Sequence, residues 1–218
     1  MEKIGPYTFK EGGLDEITSD TLLLADFIPS LSASHNVIDI GSGAGAIPLL
    51  LASRNPGVKI TAVEILRERA DAARSNVEAN GLSGRVTVIN ADYRGLAEKY
   101  PAGAFTHVVT NPPFVKQGSG RVSPVFERRV ARSEAFGGLT DLIRLSSHLA
   151  GGRGGMYMVF TAERVTELLG ALKDAGLAAV RIKFVHPCKG APACRVLVEA
   201  RQGLFEESGA VEEPIYLR

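Results

Sequence analysis

The sequence predicts an α/β protein with a doubly wound, mostly parallel sheet of seven strands and one antiparallel strand at a C-terminal hairpin. Two observations carry this reading. From residue 36 onward, short β-branched runs alternate with helix-length stretches, which is the pattern of parallel strands joined by crossover helices. Near the end the alternation stops. Residues 180–185 and 194–199 follow one another with only a turn-like Pro187-Cys188-Lys189-Gly190 between them, so they pair antiparallel or sit apart. Size and composition agree: 218 residues at 45% hydrophobic and 22% charged suit one compact domain and exclude whole-chain disorder. The 24 Gly and 11 Pro follow no Gly-X-Y period, which excludes a collagen-like chain.

Taken in order, the first dozen residues, ending in Lys10-Glu11-Gly12-Gly13, read as an arm or short hairpin. Thr18-Ser19-Asp20 is a helix N-cap cluster ahead of the apolar run at 21–28. Asn36-Val37-Ile38-Asp39-Ile40 is a short buried strand, and residues 46–54 a helix stopped by Asn55-Pro56-Gly57. Residues 59–64 form the next strand, and a polar-faced helix over 67–80 ends at Gly81, a natural residue for leaving a helix. Strands follow at 85–89 and 106–110. Residues 111–136 break the rhythm with Gly, Ser, Pro and Arg at no clear period, the usual mark of a functional loop. A helix at 139–149, a strand at 156–160 and a helix at 163–175 restore it. The expected organisation is an N-terminal arm and helix over 1–35, the α/β domain over 36–203 and an acidic tail over 204–218. In that tail Glu206, Glu207, Glu212 and Glu213 read as solvated.

Lys plus Arg total 25 against 24 for Asp plus Glu, a net charge of +1 that excludes a strongly basic nucleic-acid coat but not a local basic patch. Cys188 and Cys194 are too few for a disulfide scaffold or a zinc site, so they read as thiols without a role, and no metal is expected. Met1-Glu2-Lys3-Ile4-Gly5-Pro6 has no apolar signal region and no run is long enough to span a bilayer. A cytoplasmic protein without membrane contact is expected.

In Asp39-Ile40-Gly41-Ser42-Gly43-Ala44-Gly45-Ala46 a strand runs into a Gly-rich turn and then a helix. Gly41, Gly43 and Gly45 let the backbone approach a ligand, and the helix start presents free N–H groups. The spacing also satisfies the loose dinucleotide pattern G-x-G-x-x-A, so the glycines alone choose no cofactor. The acidic residues do. Glu64, at the end of the second strand, is placed to accept both hydroxyls of a ribose. Asp92, with Tyr93 beside it, follows the third strand and is placed to accept from an adenine amino group. Asp39 stands where it would repel a pyrophosphate and welcome an ammonium. An adenosine, no phosphate and an ammonium together describe S-adenosylmethionine rather than NAD. Each carboxylate alone also reads as a strand-end or capping group; three at successive strand ends are hard to read so.

Asn111-Pro112-Pro113-Phe114 directly follows the fourth strand and resembles the catalytic motif of methyltransferases acting on planar nitrogen: adenine N6, guanine N2 or a glutamine amide. Such a nitrogen has its lone pair delocalised and is a poor nucleophile. The Asn111 side-chain oxygen and the Pro112 carbonyl can each accept one of its N–H bonds, and the prolines fix the carbonyl direction. Phe114 would stack on the base. Read alone, the tetrapeptide is also a Pro-rich turn.

With these residues in view, the chain from about residue 8 to 203 resembles the bacterial tRNA(Val) adenine-N6 methyltransferase family. The similarity runs through Thr18-Ser19-Asp20 and Leu22-Leu23-Leu24, the Asp39–Gly45 turn and Asn111–Phe114, then Ala131-Arg132-Ser133-Glu134. Val185-His186-Pro187 and Arg195-Val196-Leu197-Val198-Glu199-Ala200 complete it. In the family the Ala-Arg segment usually continues with His before Glu; here Ser133 stands there. The resemblance implies a Rossmann-like fold and methylation of the adenosine just 3′ of a tRNA anticodon, with S-adenosylmethionine as donor. It places Asp39 and the glycines on the methionine part, Glu64 on the ribose and Asp92 on the adenine, with Thr18 and Asp20 over the cofactor.

The loop after the motif carries Lys116, Arg121, Arg128, Arg129 and Arg132 against Glu127 and Glu134, a set suited to RNA phosphates. Lys183, His186 and Lys189 make a second candidate basic edge, with His186 read as structural. Each basic residue alone reads equally as a solvated side chain. Dimerisation is one expected means of strengthening RNA binding by so neutral a chain. The alternatives are a guanine-N2 rRNA methyltransferase, a protein glutamine methyltransferase, a non-catalytic RNA-binding module and an NAD-dependent oxidoreductase. The glutamine enzymes commonly carry a sizeable N-terminal helical domain, whereas about 35 residues precede the first strand here. The guanine-N2 enzymes commonly carry a duplicated preceding domain.

Overall fold

The structure, a computed structural model, describes residues 2–4, 6–10, 17–112, 138–203 and 209–218. The chain opens with a hairpin of β1 (Glu2–Ile4) and β2 (Tyr7–Phe9), followed by helix α1 (Ser19–Phe27). The alternating body comprises β3 (Asn36–Ile40), α2 (Ala46–Arg54), β4 (Lys59–Glu64), α3 (Arg67–Ala79), β5 (Val86–Asn90), the short α4 (Leu96–Lys99) and β6 (His107–Thr110). It continues through α5 (Gly138–Ala150), β7 (Gly155–Thr161), α6 (Val165–Asp174), β8 (Leu177–His186) and β9 (Arg195–Gln202).

The expected seven strands run in the order β8-β9-β7-β6-β3-β4-β5, with β9 antiparallel to both neighbours and β3 to β7 mutually parallel. Two further strands, β10 (Ala210–Val211) and β11 (Ile215–Tyr216), add to the outer edge of β8 in parallel, giving nine among the described residues. At two residues each, they are too short for any periodicity to announce.

Side-chain alternation on the strands builds two apolar layers. Val37, Ile60 and Val109 face α1 and α2, whose Leu24, Phe27, Leu49 and Leu51 are almost wholly buried. Ile38, Val63 and Val108 face the other way, onto α5 and α6. On α5, Leu142, Leu145 and Leu149 recur at helical spacing along the buried stripe. Burial of each such leucine is worth about 1.5–3 kcal/mol. Thr18 caps α1 as the sequence implies, its hydroxyl accepting from the Thr21 amide.

Asn76 on α3 and Asn80, the residue that caps its end, carry the N-terminal hairpin. Asn80 exchanges hydrogen bonds with the backbone of Thr8, and Asn76 does the same with Lys10. These side chains supply what a neighbouring strand would otherwise give the backbone of β2.

The end of the chain departs from the expected solvated tail. Glu212 is half-buried, its carboxylate 2.7 Å from Arg181 Nε and 2.9 Å from Lys183 Nζ. Lys183 therefore serves as an anchor rather than a free basic edge. Arg181 also reaches the buried Glu199 at 2.8 Å and lies over the Phe27 ring, joining the tail strands to α1. Residues 206–207 lie outside the described residues.

Candidate functional site

Parallel register brings the carboxyl ends of β3, β4, β5, β6 and β7 to one edge of the sheet. Ile40 stands opposite both Val63 and Thr110, Glu64 opposite Asn90, and Thr110 opposite Met158. Because β3 has β4 on one side and β6 on the other, its crossovers leave in opposite directions, opening the crevice where doubly wound sheets bind ligands. The Gly-rich turn after β3 sits at that switch point.

Gly41, Gly43 and Gly45 all have left-handed backbone, at φ 80°, 57° and 91°. An L side chain at these positions is strained, so three glycines are what this turn requires. The turn is held from below by the Gly41 and Ser42 amides, which donate to the Val63 carbonyl at 2.8 and 3.0 Å. From the side, Asn76 Nδ2 donates to the Ala44 carbonyl at 3.0 Å. A Cβ at Gly45 would meet Ala73 at 3.4 Å, which shows how closely the turn packs on α3. At Gly41 a Cβ would meet nothing within 4 Å among the described residues.

Asp39 lies beneath the turn and is fully buried, and neither carboxylate oxygen has a hydrogen-bond partner among the described residues. Burial raises its pKa to about 8, with help from the neighbouring Glu64 charge. The Ser42 hydroxyl is likewise buried with no partner among the described residues. Orphaned polar atoms of this kind are costly unless a water or ligand satisfies them.

Glu64 is also buried but fully engaged. Oε2 accepts the Gly43 amide at 2.9 Å and Oε1 the Leu66 amide at 2.8 Å. It therefore braces the glycine turn, and its remaining lone pairs are what it could offer a ribose. Asn90 supports it in turn, donating to the Glu64 and Ile65 carbonyls.

Asp92 differs from its expected state. It caps the turn Tyr93–Gly95 through the Arg94 amide, and the Arg94 guanidinium grips both its oxygens at 2.6–3.2 Å. That grip holds its carboxyl below the usual range, so an incoming amino group must share it with Arg94. Tyr93 is half-buried, and burial pushes its hydroxyl up to about 12, assisted by the Asp141 and Asp92 charges.

Asn111 and Pro112 follow β6 and are half-buried. Thr110 Oγ1 donates to the Ile40 carbonyl at 3.0 Å, clamping the end of β6 to the end of β3. Asn111 and Gly41 thus leave adjacent strands side by side. Pro113, Phe114, Lys116, Arg121, Arg128, Arg129 and Arg132 lie outside the described residues. Lys189 is exposed in the turn between β8 and β9, and His186 Nδ1 lies 2.7 Å from the Ala191 carbonyl, a structural contact.

Thr18 caps α1. Asp20, expected over the cofactor, lies 2.9 Å from Arg195 Nε on β9. Sequence reading missed Asn76, Arg94 and Arg195. Only Asn76 left a trace, as a polar residue on the buried face of α3 beside Ala73 and Val77, a face that also buries Arg69.

The methyltransferase small domain family matches residues 6–136 of the chain. A tRNA1(Val) (adenine(37)-N6)-methyltransferase from Aeromonas hydrophila is 33% identical over 211 residues, covering 94% of this chain and 86% of the relative. One of the same name from Trichodesmium erythraeum is 31% identical, covering 84% and 76%. Among solved structures, a predicted O-methyltransferase from Agrobacterium tumefaciens superimposes with TM-score 0.72 at 25% identity, covering 91% of this chain and 88% of that one. TrmN from Thermus thermophilus shares the fold, with TM-score 0.60 at 22% identity over 84% of this chain and 47% of that one. No helix among the described residues is long and apolar enough to cross a membrane.

Proposed function

Because the chain belongs to the methyltransferase small domain family and, within it, to the tRNA1(Val) (adenine(37)-N6)-methyltransferase family, we propose that it methylates adenine N6 beside the anticodon of a tRNA. S-adenosylmethionine is the donor, and tRNA in the cytoplasm is the substrate this reading assigns. The observation that carries it is Asp39: a fully buried, unpartnered carboxylate under a glycine turn suits an ammonium and repels a pyrophosphate.

The residues present fit this cofactor. Asp39 and the Gly41–Gly45 turn would hold its methionine part, Glu64 the ribose, and Asp92 with Tyr93 the adenine. On the family resemblance, Thr18, Asp20 and Asn111 would also face the cofactor. When bound, S-adenosylmethionine supplies an electrophilic methyl group on a positively charged sulfur. The chain's own work is on the nucleophile. The Asn111 side-chain oxygen and Pro112 carbonyl accept the two N–H bonds of the amine, drawing the nitrogen from planar toward tetrahedral and exposing its lone pair. Pro113 fixes the motif's backbone, and Phe114 stacks on the base to hold it in line. The methylated amine loses its extra proton readily, so no side-chain base is needed.

Lys116, Arg121, Arg128, Arg129, Arg132 and Lys189 would meet the RNA backbone. A base in an anticodon loop is already partly unstacked, which lowers the cost of presenting it. A homodimer would double that basic surface, and a monomeric mass by light scattering in the presence of tRNA would remove it from the proposal.

The test is methyl transfer from labelled S-adenosylmethionine to unmodified bulk tRNA, followed by digestion to nucleosides. Label in N6-methyladenosine is the expected result. Label in N2-methylguanosine, or label only in protein glutamine, would overturn the adenine assignment.

A further inference from the structure

Helix α1 is held by charged contacts at both ends. At its far end, Asp26 pairs with Arg54 at the close of α2, and the Phe27 carbonyl accepts from Arg181. At its start, Asp20 pairs with Arg195 at 2.9 Å, a contact between residues 175 positions apart. These ends are not equivalent. β9 runs antiparallel, so its first residue, Arg195, stands opposite Thr161 and Val185 at the last turns of β7 and β8. That is the edge of the sheet where the glycine turn, Glu64 and Asn111 gather. Arg54, closing the helix that begins at the glycine turn, marks the opposite edge.

The pair is built into the structure rather than resting on its surface. The Asp20 side chain is 14% exposed and that of Arg195 31%. Arg195 Nη1 also donates to the Cys194 carbonyl at 3.0 Å, and that carbonyl accepts from Ala162 N, just after β7. The guanidinium is therefore oriented by backbone on its own strand before it meets Asp20.

We infer that Arg195 is a positioning residue for cofactor binding, fixing the start of α1 at the catalytic edge through Asp20, and that Asp20 is its anchor rather than a direct cofactor ligand. The inference rests on the functional reading above. The Asp20 carboxylate faces a cation already supplied by the chain, and the pair ties the start of α1 to the edge of the sheet that carries the glycine turn.

The test uses the full-length chain and calorimetric binding of S-adenosylhomocysteine, with melting temperature measured alongside. Arg195→Gln and Asp20→Asn should each weaken binding about tenfold, within the range for residues that act on a site through packed neighbours. Arg195→Lys, which keeps the charge, should recover most of that loss. Asp26→Asn breaks a more exposed ion pair of the same helix at the opposite edge, and it should leave affinity unchanged. Unchanged binding in Arg195→Gln would overturn the inference. So would a loss in Asp20→Asn without one in Arg195→Gln, which would make Asp20 a direct ligand, or an equal loss in Asp26→Asn. Because the readout is binding, a parent that binds yet labels another nucleoside defeats only the adenine assignment, and the variant comparison still decides this one.

Discussion

Asp39 and Glu64 are two buried carboxylates on neighbouring parallel strands, and among the described residues only Glu64 has hydrogen-bond donors, the amides of Gly43 and Leu66. The difference divides their work. Glu64 is satisfied by the turn it supports, while Asp39 carries an uncompensated desolvation cost that a cationic ligand would relieve.

This division has a pH signature. Asp39 titrates near 3.8 when unfolded and at about 8 in the fold, so between those values the native state binds more protons than the unfolded chain. Its ionisation therefore lowers stability as pH rises through that window. Asp39→Asn should raise the melting temperature relative to the parent far more at about pH 8.5 than at about pH 5. An ammonium favours the ionised carboxyl, so S-adenosylmethionine affinity should rise from about pH 6 to about pH 8, with proton release visible as a buffer-dependent calorimetric enthalpy. A buffer-independent enthalpy would contradict this account.

Asn111→Ala should retain S-adenosylhomocysteine binding and lose turnover by about 10²-fold or more, because the lost acceptor acts on the transition state. Single-turnover methyl transfer beside a binding titration separates the two. Near-parental turnover would remove Asn111 from the mechanism.

Replacing Arg128 and Arg129 together by Ala should weaken tRNA binding and flatten its dependence on salt, by roughly one to two fewer released counterions. Filter binding over a salt series reads the slope. An unchanged slope would place the RNA elsewhere.

The tail strands close the open edge of β8. Deleting residues 204–218 should leave that edge free to pair with other chains and produce concentration-dependent association by light scattering. The milder Glu212→Gln keeps the strands but weakens their anchor to Arg181 and Lys183, at a cost of roughly 0.5–1 kcal/mol that fades at high salt. A truncated chain that stays monodisperse would show that the edge needs no cover.

Much of this protein was legible in the sequence because it is local. Residues 36–40, 46–54 and 59–64 form the strand, helix and strand that their apolar runs and Gly/Pro punctuation predict. The alternation that made a parallel sheet necessary also placed Asp39, Glu64 and Asn111 at strand ends, hence on one edge. What tertiary structure alone decided is which charges meet. Nothing in the sequence near Asp20 or Glu212 points to Arg195 or Arg181, because those meetings follow from strand order and from where α1 and the tail pack. Arg94 is only two residues from Asp92, yet its grip depends on a turn closing beneath it, which a list of residue types does not contain. Periodicity fixes which face of an element is buried, whereas an ion pair between distant segments exists only once the sheet has brought them within a few ångströms.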